Sequence, residues 1–175
     1  MLLISLILLP ICGCVDENDE AVTASVPTDN LPQGFTLLAV MDKNTKNVNI
    51  TEEIKDFYGS RDIGQVNATV GKYQWAPLGQ AFDARITLIE TQSPEIATAA
   101  AENYRALEEY QRPPALGVDR FSTAIVNGHE VTEIRDRTQD TMRYLFLWTN
   151  ENLVILVEGT DDRSQSLELA SVTGF

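Results

Sequence analysis

One histidine, two cysteines and a surplus of carboxylates are the groups with which this 175-residue chain could do chemistry. His129 stands beside Glu130, a pairing that would suit a general base. It directly follows Asn127-Gly128, a two-residue hairpin-turn signal, and no Ser or Cys nucleophile motif accompanies it. It therefore reads as a surface turn residue. A single histidine, with no cysteine from Val15 onward, excludes the usual zinc ligand sets. Neither G-x-x-x-x-G-K-[ST] nor G-x-G-x-x-G occurs, so nothing cradles a nucleotide phosphate. The acidic clusters "DENDE" and Asp161-Asp162 lack the alternating spacing of a calcium loop. Carboxylates alone permit a small carboxylate-dependent hydrolase, but no pair of them stands out. The sequence thus assigns no catalytic residue, no metal and no cofactor.

Cys14 is the residue with the most specific chemistry. Leu2 to Ile11 is apolar but too short to span a bilayer, which takes about 20 residues. The length suits the apolar core of an export leader. Ile11-Cys12-Gly13-Cys14 then resembles a lipobox: an aliphatic residue, a small residue, Gly, and a Cys whose thiol receives lipid and becomes the mature N-terminus. The leader departs from the usual pattern in having no Lys or Arg ahead of its apolar run. An uncleaved, weakly anchoring N-terminus is the alternative. The reading is a lipoprotein-type signal peptide over 1–14, an acidic flexible tether over 15–32 and a single domain over 33–175. The protein is then held on the extracytoplasmic face of the cell membrane through lipid on Cys14.

The formal charge of −13 makes phosphate backbones poor partners, so nucleic acid is excluded. With 43% hydrophobic and 22% charged residues the chain is globular and not disordered. Asn49-Ile50-Thr51 and Asn67-Ala68-Thr69 are N-glycosylation sequons, making Asn49 and Asn67 candidate modification sites. Tyr73 and Trp75, near Pro77 and Gly79, form a candidate aromatic ligand rim, with a place in the core as the competing reading. Arg135, Arg137 and Arg143 bracket "DRTQDT" as a basic spot in a hairpin loop.

The elements that must position these groups alternate between strand and helix. "GFTLLAVMD", "GQVNATVGKYQW" and "FDARITLIE" read as strands, with Gly71 marking a bulge. "NITEEIKDFYGS" reads as a short helix capped by Thr51, its apolar face made of Ile54, Phe57 and Tyr58. "SPEIATAAAENYRALEEYQRPP" predicts one long amphipathic helix: Ser93 caps it, Pro94 opens it, and Pro113 and Pro114 stop it. "FSTAIV-NG-HEVTEI" and "MRYLFLWT-NEN-LVILVEG" predict two hairpins, and "DDRSQSLELASV" a short last helix. The second hairpin is apolar on both sides, so it lies centrally and needs two covers. The long helix supplies one. The 51–58 helix, the 73–82 loop or a second chain supplies the other. The predicted fold is α+β: an antiparallel sheet of about six strands with one long helix packed on it and two short helices.

The Gly-turn hairpin, the strand with a late Trp, the apolar strand and the Ser/Ala-rich last helix resemble predicted lipoproteins of methanogenic archaea. More loosely, the order of elements is similar to the PsbP-like α+β fold. The resemblance implies an envelope lipoprotein and brings no catalytic residues. The sequence reading of function is a lipid-anchored, non-catalytic binding or assembly module at the cell surface. The alternative is an accessory subunit of an envelope transporter or redox complex. An envelope protein is the expected partner besides the membrane.

Overall fold

A computed structural model describes residues 24–77, 79–138 and 141–175. Cys14 and the rest of 1–23 lie outside the described residues.

Seven strands form one antiparallel sheet: β1 (Phe35–Met41), β2 (Asn67–Trp75), β3 (Phe82–Glu90), β4 (Phe121–Val126), β5 (His129–Thr138), β6 (Thr141–Asn150) and β7 (Leu153–Glu158). Their order is β1-β2-β3-β7-β6-β5-β4. Two meanders, one from each half of the chain, therefore meet where β3 pairs with β7. The helices are α1 (Ile50–Glu53), α2 (Pro94–Arg105) and α3 (Arg163–Ser171).

The expected fold is corrected on two counts. Every strand-like segment enters the sheet, so the strands number seven and not about six. Among the described residues there is no long helix. α2 starts as expected, Ser93 capping the Ile96 N–H and Pro94 in the first turn, but it ends at Arg105. Leu107 is extended, and a separate 3-10 turn runs from Glu108 to Gln111. The break lets two tyrosines be buried together. Six residues apart on one continuous helix, Tyr104 and Tyr110 would point about 120° apart. With the chain broken between them, their rings lie 5.6 Å apart and their hydroxyls 3.2 Å apart. Arg120 holds the turn in place, donating to the carbonyls of Glu109 and Arg112 at 3.0 Å and stacking over the Tyr110 ring.

β5 also runs further than expected. Its pairing with β6 continues to Thr138↔Thr141, so Arg135 and Arg143 are strand residues and not a loop cluster. The bulge lies in β1, between Leu37 and Ala39, and not at Gly71, where β2 and β3 pair without interruption. Gly71 is there for space: a Cβ would stand 2.7 Å from the Tyr73 ring.

Alternation along the central strands gives the sheet two apolar faces. On one, Ile86, Phe146, Trp148 and Ile155 pack under Leu169 and Ala170 of α3 and under Val26. On the other, Ile89, Leu145, Leu147 and Leu156 pack under Ala97, Ala100 and Tyr104 of α2 and under Ile54 and Phe57. The 51–58 region therefore shares a side with α2, and the opposite cover is α3 with the segment before β1. Residues 24–32, expected as part of a flexible tether, lie on the sheet: Val26 is buried and the Pro27 carbonyl accepts from the Tyr73 hydroxyl at 2.7 Å. The α1 region is tied to α2 by Asn103. Its amide donates to the carbonyls of Phe57 and Arg61 and accepts from the Arg61 N–H.

Candidate functional site

The register of the sheet places three charged residues in one row. Lys72 on β2 faces Arg85 on β3, and Arg85 faces Glu158 on β7. Arg85 shares its sheet face with Thr87 and Ile89, opposite the apolar stripe of Ala84, Ile86 and Leu88. Glu53 of α1 reaches down to the row, its carboxylate 3.4 Å from the Lys72 amine and 3.6 Å from Arg85. Arg85 donates to Glu158 through its Nε. Arg143 on β6 closes the row from the far side. Its Nε donates to the Gly159 carbonyl at 2.8 Å, and one terminal nitrogen stands 3.8 Å from the Glu158 carboxylate.

Lys72, Arg85, Arg143 and Glu158 line a groove of about 410 Å³ beside β1, together with Asp83 and the exposed Leu38. Its floor is an ion pair already satisfied on both sides. Its walls are two cations: Lys72, whose amine stands 3.4 Å from Glu53, and Arg143, which donates to the Gly159 carbonyl at 2.8 Å and to the Asp83 carbonyl at 3.1 Å. Such an arrangement can receive an anionic group without breaking the pair beneath it.

Three tyrosines keep their protons well into the alkaline range. Burial pushes the Tyr110 hydroxyl up to about 12, and raises Tyr104 and Tyr73 further. At Tyr104 the nearby Glu158 charge adds to the effect of burial. In the unfolded chain a tyrosine ionises near 10. Between about pH 10 and 12 the unfolded state has therefore lost protons that the folded state keeps, and stability falls as pH rises. Phenolate absorbance should appear together with loss of structure in an alkaline titration. Ionisation of all five tyrosines below about pH 11 with the circular dichroism unchanged would contradict this.

The residues singled out from the sequence are not brought together. Tyr73 is buried and lines the inner wall of the charged groove, apart from Trp75. Trp75 stacks between Phe35, at 6.2 Å, and Phe82, at 5.6 Å. With Phe82, Pro77 and Gln80 it lines a shallow groove of about 490 Å³ leading to Asp161–Ser164. Asn67 is exposed at the start of β2, its amide oxygen accepting from Lys43 at 3.2 Å. Asn49 is also exposed and is itself the helix cap, its oxygen accepting from the Thr51 N–H; Thr51 is not the cap. His129 is exposed at the hairpin turn. Of Arg135, Arg137 and Arg143, only Arg143 lines the charged groove. Among the described residues no group of three or more His, Cys, Asp or Glu side chains is placed to hold a metal ion. No helix among them is long and apolar enough to cross a membrane.

The chain matches no protein-family model, no curated protein and no solved structure. The resemblance to archaeal lipoproteins and to the PsbP-like order of elements thus rests on the sequence features alone.

The Lys72–Arg85–Glu158 row was missed by sequence reasoning. Its one local signal is Arg85, a charge in the middle of a strand that is otherwise apolar on alternate positions. Lys72 and Glu158 show nothing comparable, because only the register of β2, β3 and β7 sets them beside it.

Proposed function

We propose that the chain is a lipid-anchored, extracytoplasmic binding module whose ligand seat is the groove between Lys72 and Arg143. The observation that carries this reading is the meeting of two cations, Lys72 and Arg143, at one groove over a closed Arg85–Glu158 floor, next to exposed Leu38. A small molecule with one carboxylate and a short apolar part matches that lining. The carboxylate would lie between Lys72 and Arg143, and the apolar part against Leu38. Binding is favoured over catalysis because both carboxylates near the floor, Glu53 and Glu158, touch Arg85. A carboxylate whose oxygens are engaged by a guanidinium is not free to reach a substrate atom. Anchoring rests on the Ile11–Cys14 motif, and the lipid on Cys14 would place the groove near the membrane surface.

Two measurements test the two halves of the proposal. Calorimetric titration with hexanoate and with N-acetyl-leucine should show saturable binding that Lys72→Gln weakens about tenfold or more. Absence of saturable binding of either probe at about 20 mM, far above the weakest useful Kd of about 1 mM, overturns the ligand seat. Intact-mass analysis of the membrane-extracted protein should find an N-terminus at Cys14 carrying lipid. An unmodified N-terminus at Met1 overturns the anchor.

A further inference from the structure

Of the two edges of the sheet, one is blunted and one is not. β1 carries a bulge between Leu37 and Ala39, which breaks the regular ladder that an incoming strand needs. β4 pairs with β5 in unbroken register from Phe121↔Ile134 to Val126↔His129. Its outer side has no neighbouring strand among the described residues. The sequence Phe-Ser-Thr-Ala-Ile-Val contains no charge and no proline, the devices that usually protect an open edge. Two of the large apolar side chains left in solvent belong to it: Ile125 is 63% exposed and Phe121 37%.

We infer that β4 is a self-association surface, pairing antiparallel with β4 of a second copy of this chain about a two-fold axis through Thr123. The side chains select that partner and that register. Ala124 and Val126 point into the α3-side core, while Phe121, Thr123 and Ile125 share the other face, beyond the reach of α2. A two-fold axis normal to the sheet keeps both copies' faces aligned only if residues of the same face stand opposite each other. With the axis at Thr123, Phe121 stands opposite Ile125 twice, Thr123 opposite Thr123, and Ser122 opposite Ala124. An aromatic residue against a β-branched one, and Thr against Thr, are favourable cross-strand pairs. Moving the axis to Ala124 sets Phe121 against the turn residue Asn127. Moving it to Ser122 sets Ile125 against Asp119. Only the Thr123 axis covers both exposed apolar side chains at once. Phe121 is already oriented for this, with its ring edge-on to Tyr110 at 6.3 Å.

Charge sets the conditions. Each copy carries −13, so two copies repel, and the contact strand itself is uncharged. Association should tighten as salt rises, the reverse of an interface built on ion pairs.

The test uses the full chain in a non-ionic detergent, with Cys12→Ser and Cys14→Ser, which leaves no other cysteine. Opposed residues in an antiparallel pair have Cβ atoms about 5 Å apart, close to the span of a disulfide. Thr123→Cys should form a disulfide dimer under mild oxidation about tenfold or more faster than Thr36→Cys on the β1 edge. Equal rates, or a faster reaction at position 36, overturn the proposal. By sedimentation, Ile125→Lys should raise the dimer dissociation constant about tenfold or more while the circular dichroism is unchanged. A dimer unaffected by Ile125→Lys, or a chain that stays monomeric in about 0.5 M salt, where charge repulsion is screened within about 4 Å, overturns it as well.

Discussion

A Gly159→Ala chain should lose about 3 kcal/mol of stability, at the upper end of what overpacking costs. Gly159 sits at the elbow where β7 hands over to α3. Its N–H donates to the Tyr144 carbonyl at 2.9 Å, and the Tyr144 N–H donates to the Thr160 carbonyl at 3.1 Å, so two successive residues face one across the strands. A Cβ at this position would stand 2.8 Å from the Tyr144 carbonyl oxygen and closer still to the Ser166 side chain. Neither neighbour can move cheaply. Tyr144 O belongs to the sheet backbone. The buried Ser166 hydroxyl accepts from the Thr160 N–H at 2.8 Å and donates to the Asp162 carbonyl at 2.7 Å. Relief would require α3 to lift away from the sheet. The Gly159 carbonyl also accepts from Arg143, so the charged groove should loosen in the same variant. Chemical denaturation measures the loss. Adding Ser166→Gly should restore part of it, because one of the two clashes is removed. A midpoint within about 0.5 kcal/mol of the parent would show that the elbow yields freely.

What the sequence makes legible, and what it hides, follows the range of the interactions. The Asn127-Gly128 turn is written locally: both residues take positive φ, 50° and 86°, as a two-residue hairpin turn requires. The two apolar sides of β6 and β7 are local too, because alternation along each strand assigns every residue its face. The end of α2 is not. No glycine or proline follows Arg105 closely, and the amphipathic pattern runs on to Gln111. The break goes with Arg120, 15 residues downstream of Arg105, whose guanidinium takes the Glu109 and Arg112 carbonyls and stacks over the Tyr110 ring. The second cover of the sheet was hidden for a similar reason. "ASVPTDNLP" has no periodicity, yet Val26, flanked by Ala24 and Leu31, and the Pro27 carbonyl dock it on the sheet. Leu147 and Leu156, which the sequence leaves open as a docking surface for another chain, lie buried under α2 instead. The charged groove is the extreme case, since it exists only as a register between strands far apart in sequence.

Removing Arg163 should cost about 3 kcal/mol, although its own side chain is half exposed. The reason lies in its partner. Glu133, on β5, is 0% exposed and faces the α3 side of the sheet. Arg163, the first residue of α3, gives its carboxylate two hydrogen bonds, at 2.8 and 2.6 Å. Arg135 stands 3.0 Å from the other carboxylate oxygen and is itself held by Ser122 and the Asp119 carbonyl. In Arg163→Ala a buried carboxylate keeps one cation where it had two. The lost hydrogen bonds are charge-assisted, and water cannot readily replace them under α3. The cost should therefore exceed that of an ordinary surface ion pair, which is worth about 0–1 kcal/mol. The double variant Arg163→Ala with Glu133→Leu separates the two accounts. If the cost comes from stranding the carboxylate, the second change should recover more than half of the loss, because it removes the buried charge. If Arg163 mainly packs and caps α3, the double variant should be no better than the single one. Equilibrium denaturation of the two single variants and the double variant closes the cycle. A loss below about 1 kcal/mol for Arg163→Ala would mean that Arg135 alone satisfies Glu133 and that α3 is held by its apolar contacts.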